Sequence, residues 1–81
     1  MLKTYLKSKY CLTEKEIEVL IKVTQGYTNN EMAKDFNLSV HTIKIHISSL
    51  LRKFDVEDRV SLAVKAVKSC YKNDIEIWFV R

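Results

Sequence analysis

The stretch from Ser39 to Phe54, SVHTIKIHISSLLRKF, limits what the rest of the chain can be. It contains neither Gly nor Pro, so nothing interrupts a helix of about four turns, and Ser39 is a good N-cap for it. Ile43, Ile47, Leu50, Leu51 and Phe54 recur at three- and four-residue intervals and form one apolar stripe. His41, Lys44, Ile45, Ser48 and Arg52 recur on the opposite side, which is basic and hydroxylated, carries one aliphatic group and has no carboxylate. A helix anchored on one side and acid-free on the other suits the major groove of DNA. A solvated surface helix gives the same pattern.

The remaining residues must supply a body for this helix. An 81-residue chain is one domain with a limited core, and 47% apolar residues are enough to build it. One Gly and no Pro argue against a turn-rich β fold and for helices joined by short polar turns. A net charge of +4 permits a polyanionic partner without requiring one. Cys11 and Cys70 lie far apart, with no Cys-x-x-Cys and no secretory signal. Both are expected to be reduced in a cytoplasmic protein, a single long-range disulfide being the alternative. No apolar run reaches the ~20 residues that span a bilayer.

Residues 1–11 form a basic arm, in which Leu2, Tyr5 and Leu6 share a helical face or the segment is loose. Its Lys3, Lys7 and Lys9 touch phosphate or are simply solvated. A first helix runs from Leu12 to Gln25, opened by a Thr13–Glu16 capping box with Leu12 and Ile17 as the staple across it. Ile17, Val19, Leu20, Ile21 and Val23 supply its buried contacts. Glu14, Glu16 and Glu18 crowd its start, where the helix dipole favours them, and argue that this end faces away from DNA. Gly26 suits a left-handed stop. Thr28 and Glu31 repeat the capping box for a short second helix to Phe36, with Met32, Ala33 and Phe36 inward. Asn37, tolerant of positive φ, opens a tight connection to Ser39. A short helix, a tight turn and a longer helix with a polar outer face make a helix-turn-helix.

Asp58 caps a fourth helix from Arg59 to about Tyr71 that is apolar around its girth. Val60, Ala63 and Val67 are assigned to the core. Leu62, Ala66 and Ser69 are left outside, as a surface for a second subunit. Asn73-Asp74 signals a turn, and Ile75 to Arg81 reads as a strand that packs on the helices or pairs with its copy. The expectation is an all-α, four-helix domain over residues 12–72, with the arm before it and a tail at 73–81.

Four collinear blocks carry a family likeness. Leu12-Thr13-Glu14-Lys15-Glu16-Ile17-Glu18-Val19-Leu20 resembles the opening motif of the LuxR/GerE-type DNA-binding domain, and Gly26-Tyr27-Thr28-Asn29-Asn30-Glu31-Met32-Ala33 its second motif. Leu38-Ser39-Val40-His41-Thr42-Ile43-Lys44-Ile45-His46 resembles its recognition helix. Lys53-Phe54-Asp55-Val56-Glu57-Asp58-Arg59, followed by Ala63-Val64, resembles its closing block. The likeness spans roughly residues 12 to 68. It implies a bacterial four-helix domain whose third helix reads the major groove of double-stranded DNA and whose fourth often dimerises. By position, Lys44, Ile45 and Ser48 fall where the family contacts bases. Thr28, Asn29, Thr42 and His46 fall at or beside its backbone-contact or supporting positions. Arg59 matches a bracing arginine, expected to meet Glu16. The chain departs from the family's pattern at Lys15, at Asn30, at Ser48 and Ser49, and at Met32 and Phe54. The Asn30 and Ser48 changes remove positive charge from the expected contact surface.

The chemistry of each candidate keeps two readings. Lys44 donates to guanine O6 and N7 or is solvated. Ile45 meets a thymine methyl or is an exposed aliphatic. Ser48 reaches a base or phosphate, or only water. Arg52 and Lys53 pair with phosphate or are solvated charges. His46 bonds a phosphate or braces the helix. His41 and His46 sit about 140° apart on a helix, and no Cys pair completes a zinc set, so no metal and no cofactor is expected. No nucleophile–base set or Gly-rich phosphate loop appears, which excludes an enzyme.

One module offers two or three base contacts worth ~1–3 kcal/mol each. Specific sites stand ~4–10 kcal/mol above non-specific ones, so a homodimer is expected. The reading is a cytoplasmic, sequence-specific transcriptional regulator, with RNA polymerase as a further candidate partner and no membrane contact. The initial Met and the ends outside the likeness favour a stand-alone regulator over an excised effector half. A helix-turn-helix module used on a protein partner is the rival.

Overall fold

From Glu14 onward, each of the four helix starts is fixed by a side-chain cap. The computed structural model describes residues 7–72, with side chains as far as Ser69. After helical residues 7–10, the elements are α1 (Glu14–Thr24), α2 (Asn29–Phe36), α3 (Val40–Phe54) and α4 (Arg59–Lys72). Thr13 Oγ1 accepts from the Glu16 amide at 3.1 Å, and the Thr13 amide donates back to Glu16 Oε1 at 2.9 Å. Thr28 and Glu31 repeat this box at 3.1 and 2.8 Å. Ser39 Oγ takes the Thr42 amide at 3.0 Å, and Asp58 Oδ1 takes the Ser61 amide at 2.8 Å. Each cap satisfies an amide that the helix itself leaves unpaired.

The helix stops are left-handed residues. Gly26 has φ +86°, Asn37 +56° and Asp55 +58°. Gly26 and Asn37 were readable as stops from residue type, and Asp55 from the end of the helical pattern at Phe54; Asn and Asp visit this conformation more readily than other residues with a Cβ. Between α2 and α3 the chain has only Asn37, Leu38 and Ser39, which makes the helix-turn-helix.

The core forms where the four apolar faces meet. Ile17, Val19, Leu20, Met32, Ile43, Leu50, Phe54 and Leu62 are fully buried, and Ile47 nearly so. Each such side chain contributes roughly 1.5–3 kcal/mol by leaving water. Ile21 and Phe36, both expected inside, are half-buried, and the Lys15 ammonium lies 4.7 Å from the Phe36 ring centre. Tyr10 adds a contact outside the expected core. Its ring stacks on Phe54 with centroids 3.9 Å apart and planes 14° from parallel, and its hydroxyl lies 3.3 Å from Ser69 Oγ.

The rotation of α4 overturns one expectation. Leu62, Ala66 and Ser69, assigned to an outer dimer surface, are 0%, 1% and 8% exposed and pack inside the single chain. Val60, assigned to the core, is 73% exposed, and Val64 is 47% exposed. The cause is at the start of the helix. Arg59 Nη1 donates to Asn29 Oδ1 at 2.6 Å and Nη2 donates to the Tyr27 carbonyl, so its side must face α2. Leu62, Ala66 and Ser69 follow Arg59 at three, seven and ten residues and share that side. Arg59 therefore does not meet Glu16, as the family likeness had implied. The strand expected at residues 75–81, the face made by Leu2, Tyr5 and Leu6, and the state of Cys70 lie outside the described residues.

Candidate nucleic-acid interface

α3 is held from below and open above. Its buried stripe is Ile43, Ile47, Leu50 and Phe54, with Leu51 half-buried at the edge. His41, Lys44, Ile45, Ser48 and Arg52 are all exposed on the outward side, Ile45 to 54%. These residues line one open groove with Glu16, His46 and Ser49. A helix is about 10–12 Å across, the width of a major groove, and this surface carries cations, hydroxyls and one aliphatic group.

Glu16 corrects the expectation that the acidic start of α1 faces away from this surface. Its carboxylate is 5% exposed and forms part of the groove wall. Oε1 accepts from Lys53 Nζ at 2.8 Å and from the Thr13 amide, and Oε2 accepts from the Ser49 hydroxyl. Burial pushes the Glu16 pKa up. The hydrogen bonds from Lys53, Ser49 and Thr13, with the Lys53 charge, outweigh that and hold it at about 2. The carboxylate is therefore ionised and paired.

Lys53, a candidate for phosphate contact, is half-buried, and its ammonium is paired within the chain. Its ammonium donates to Glu16 and, at 2.8 Å, to the Cys11 carbonyl. A cation spent on a buried carboxylate adds little to an external field. Arg52, one residue earlier, stays exposed.

The other candidates sit around α3. Thr42 is half-buried and its hydroxyl lies 2.9 Å from that of Ser39. His46 is half-buried on the flank of the groove. Thr28 and Asn29 lie at the start of α2, away from the outward residues of α3 in sequence. The Thr28 hydroxyl is used in its cap, and the Asn29 oxygen faces Arg59. Sequence reasoning missed the Glu16–Ser49–Lys53 cluster. The Thr13–Glu16 capping box was the available signal, but it showed only one of the partners of Glu16. Among the described residues, no group of three or more His, Cys, Asp or Glu side chains is placed to hold a metal, and no helix is long and apolar enough to cross a membrane.

Comparison with known proteins agrees with this geometry. The family described as bacterial regulatory proteins, luxR family (GerE), matches residues 10–66. The chain is similar to the response regulator protein VraR of Staphylococcus aureus (strain Mu3), with 38% identity over 55 residues. The VraR proteins of Staphylococcus saprophyticus and Staphylococcus epidermidis match to the same extent. Each match covers 68% of this chain but 26% of the relative, so the chain spans about a quarter of the length of these relatives. No solved structure matches it. With its four collinear motifs folded into one helix-turn-helix body, the chain belongs to the luxR family of bacterial regulatory proteins.

Proposed function

We propose that this chain is a transcriptional regulator that binds double-stranded DNA, laying α3 in the major groove and reading sequence as a pair of copies. One observation carries the reading. The whole outward side of α3, from His41 to Arg52, is exposed and free of carboxylates, while its opposite side is fully packed. Lys44, Ile45 and Ser48 read base edges, Lys44 at a guanine and Ile45 at a thymine methyl. Arg52 pairs with phosphate, and Thr28, Asn29, Thr42 and His46 border the backbone. Lys53 drops out of this set because its charge is used by Glu16. Family membership supports the DNA-binding role itself.

Pairing rests on arithmetic and on the α4 surface. Two or three base contacts at ~1–3 kcal/mol fall short of the ~4–10 kcal/mol that separates specific from non-specific sites, and doubling the reading head closes the gap. Val60 and Val64 are the exposed aliphatics of α4, flanked by half-buried Ala63 and Val67, and a second copy covers them. Bound to DNA in a bacterium, the protein works in the cytoplasm.

Selecting bound duplexes from a random pool tests the reading. A recovered consensus, bound with an affinity that falls steeply with salt, is the expected result. The rival is a module that applies α3 to a protein. The loss of Lys53 from the outer charge favours it. A pool with no enrichment, and no salt-dependent duplex binding, would decide for that rival.

A further inference from the structure

The apolar stripe of α3 fixes the helix against the body but sets its rotation only loosely, because burial is non-directional. Hydrogen bonds are directional, and two of those tying the flank of α3 to the body meet at one carboxylate, a third running from Lys53 to the Cys11 carbonyl. Ser49 and Lys53, one turn apart on the same flank of α3, both donate to Glu16. Glu16 is itself anchored to α1 by the Thr13 amide at 2.9 Å. At about 100° per residue, this flank lies between the buried stripe and the outward side that carries Ser48, Arg52 and Ile45. A 15° turn of α3 would move an outward side-chain tip by about 1.5 Å at the helix's ~6 Å outer radius. Base reading needs placement within about 0.5 Å and 10–20°.

We propose that Glu16 is a positioning residue for sequence discrimination: by holding Ser49 and Lys53 it sets the rotation of α3 and so aims Lys44, Ile45 and Ser48 at the base edges. Glu16 touches no DNA. Its loss lets the helix rotate within its packing, so contacts to specific bases fail while the general attraction to phosphate persists. The inference rests on the DNA-binding reading given above.

The test compares two duplexes, one selected by the parent chain and one of scrambled sequence, at fixed salt and at a temperature where circular dichroism shows each variant folded. Glu16→Gln keeps the shape but cannot pair the Lys53 charge. Ser49→Ala removes one anchor and leaves the Thr13–Glu16 cap intact, so it decides the question if Glu16→Gln does not fold. Each is expected to lower the ratio of selected to scrambled affinity by about tenfold, the worth of one base contact. A purely structural role would lower both affinities by the same factor. An unchanged ratio in Ser49→Ala, and in Glu16→Gln where it folds, overturns the inference and leaves the DNA reading standing. A parent chain that selects no duplex overturns both.

Discussion

Arg59, the first residue of α4, donates to the side-chain oxygen of Asn29, the first residue of α2, at 2.6 Å. A guanidinium has only donors, so Asn29 must turn its oxygen towards it and keep its amide N–H groups for other partners. The same arginine holds the Tyr27 carbonyl. One side chain thus joins two helix starts and sets which side of α4 is buried. Replacing Arg59 with Ala should cost roughly 1–3 kcal/mol, as expected for charge-assisted bonds to partly buried groups. A urea titration with unchanged slope and a lower midpoint would register it. No shift in midpoint would mean that α4 is oriented by its apolar residues alone.

The two sides of α4 should respond differently to charge. Leu62→Glu places a carboxylate where the side chain is 0% exposed, and a loss above about 4 kcal/mol is expected, enough to unfold most of a domain this small. Val64→Glu, at a position 47% exposed, should change stability by less than about 1 kcal/mol. It should nevertheless shift the protein to monomer in sedimentation if α4 pairs two copies. A Val64→Glu protein of unaltered mass would move the pairing surface elsewhere.

The salt dependence of binding should separate two neighbouring cations. Arg52 is exposed, whereas Lys53 is tied to Glu16 and to the Cys11 carbonyl. Arg52→Gln should reduce the slope of log affinity against log salt by about 0.9, one phosphate contact. Lys53→Gln should leave that slope unchanged and lower the melting temperature instead. Equal slopes in both variants would place Lys53 on the DNA.

Acid should act through Glu16. Its folded pKa of about 2 lies below the ordinary 4.5, so it stabilises the fold fully above 4.5 and loses that contribution as pH falls towards 2. The loss is at most roughly 3.5 kcal/mol, at about 1.4 kcal/mol per pKa unit. Asp58, held low by the Ser61 amide, acts in the same direction but is exposed and adds little. Urea midpoints measured from pH 5 to pH 2 should decline for the parent and flatten for Glu16→Gln. Parallel curves would mean that other carboxylates dominate.

Two helix stops offer a backbone test. Nothing lies within 4 Å of where a Cβ on Gly26 would stand, so Gly26→Ala should cost only the left-handed strain, about 1 kcal/mol. Asp55→Gly, at φ +58°, should relieve similar strain and raise the thermal midpoint slightly. A larger loss in Gly26→Ala would point to a contact that the open surroundings do not show.

Most of the fold was legible because its punctuation is local. Thr13–Glu16, Thr28–Glu31, Ser39 and Asp58 mark the helix starts by chemistry that acts within four residues, and each opens a helix as expected. The two sides of α3 were legible because one is apolar and the other has no competing aliphatic run. α4 was not, because Val60, Leu62, Ala63, Val64, Ala66 and Val67 spread over about 200° of its girth, so the narrow polar side of Ser61, Lys65 and Lys68 does not say which part of that apolar arc is buried. Arg59 orients it across 32 residues of sequence to Tyr27, a distance that periodicity does not cover. The fate of Lys53 was hidden for the same reason, since its partner Glu16 stands 37 residues earlier. Tyr10 was missed because it precedes the first cap and looked like part of a tail.

Tyr10 also bears on where this protein can be cut. A fragment trimmed to begin at Leu12 would strip the aromatic lid from Phe54, the last residue of α3, and would remove the Cys11 carbonyl that shares Lys53. Such a fragment would keep every helix-turn-helix motif and still be a looser protein, with α3 unfastened at one end.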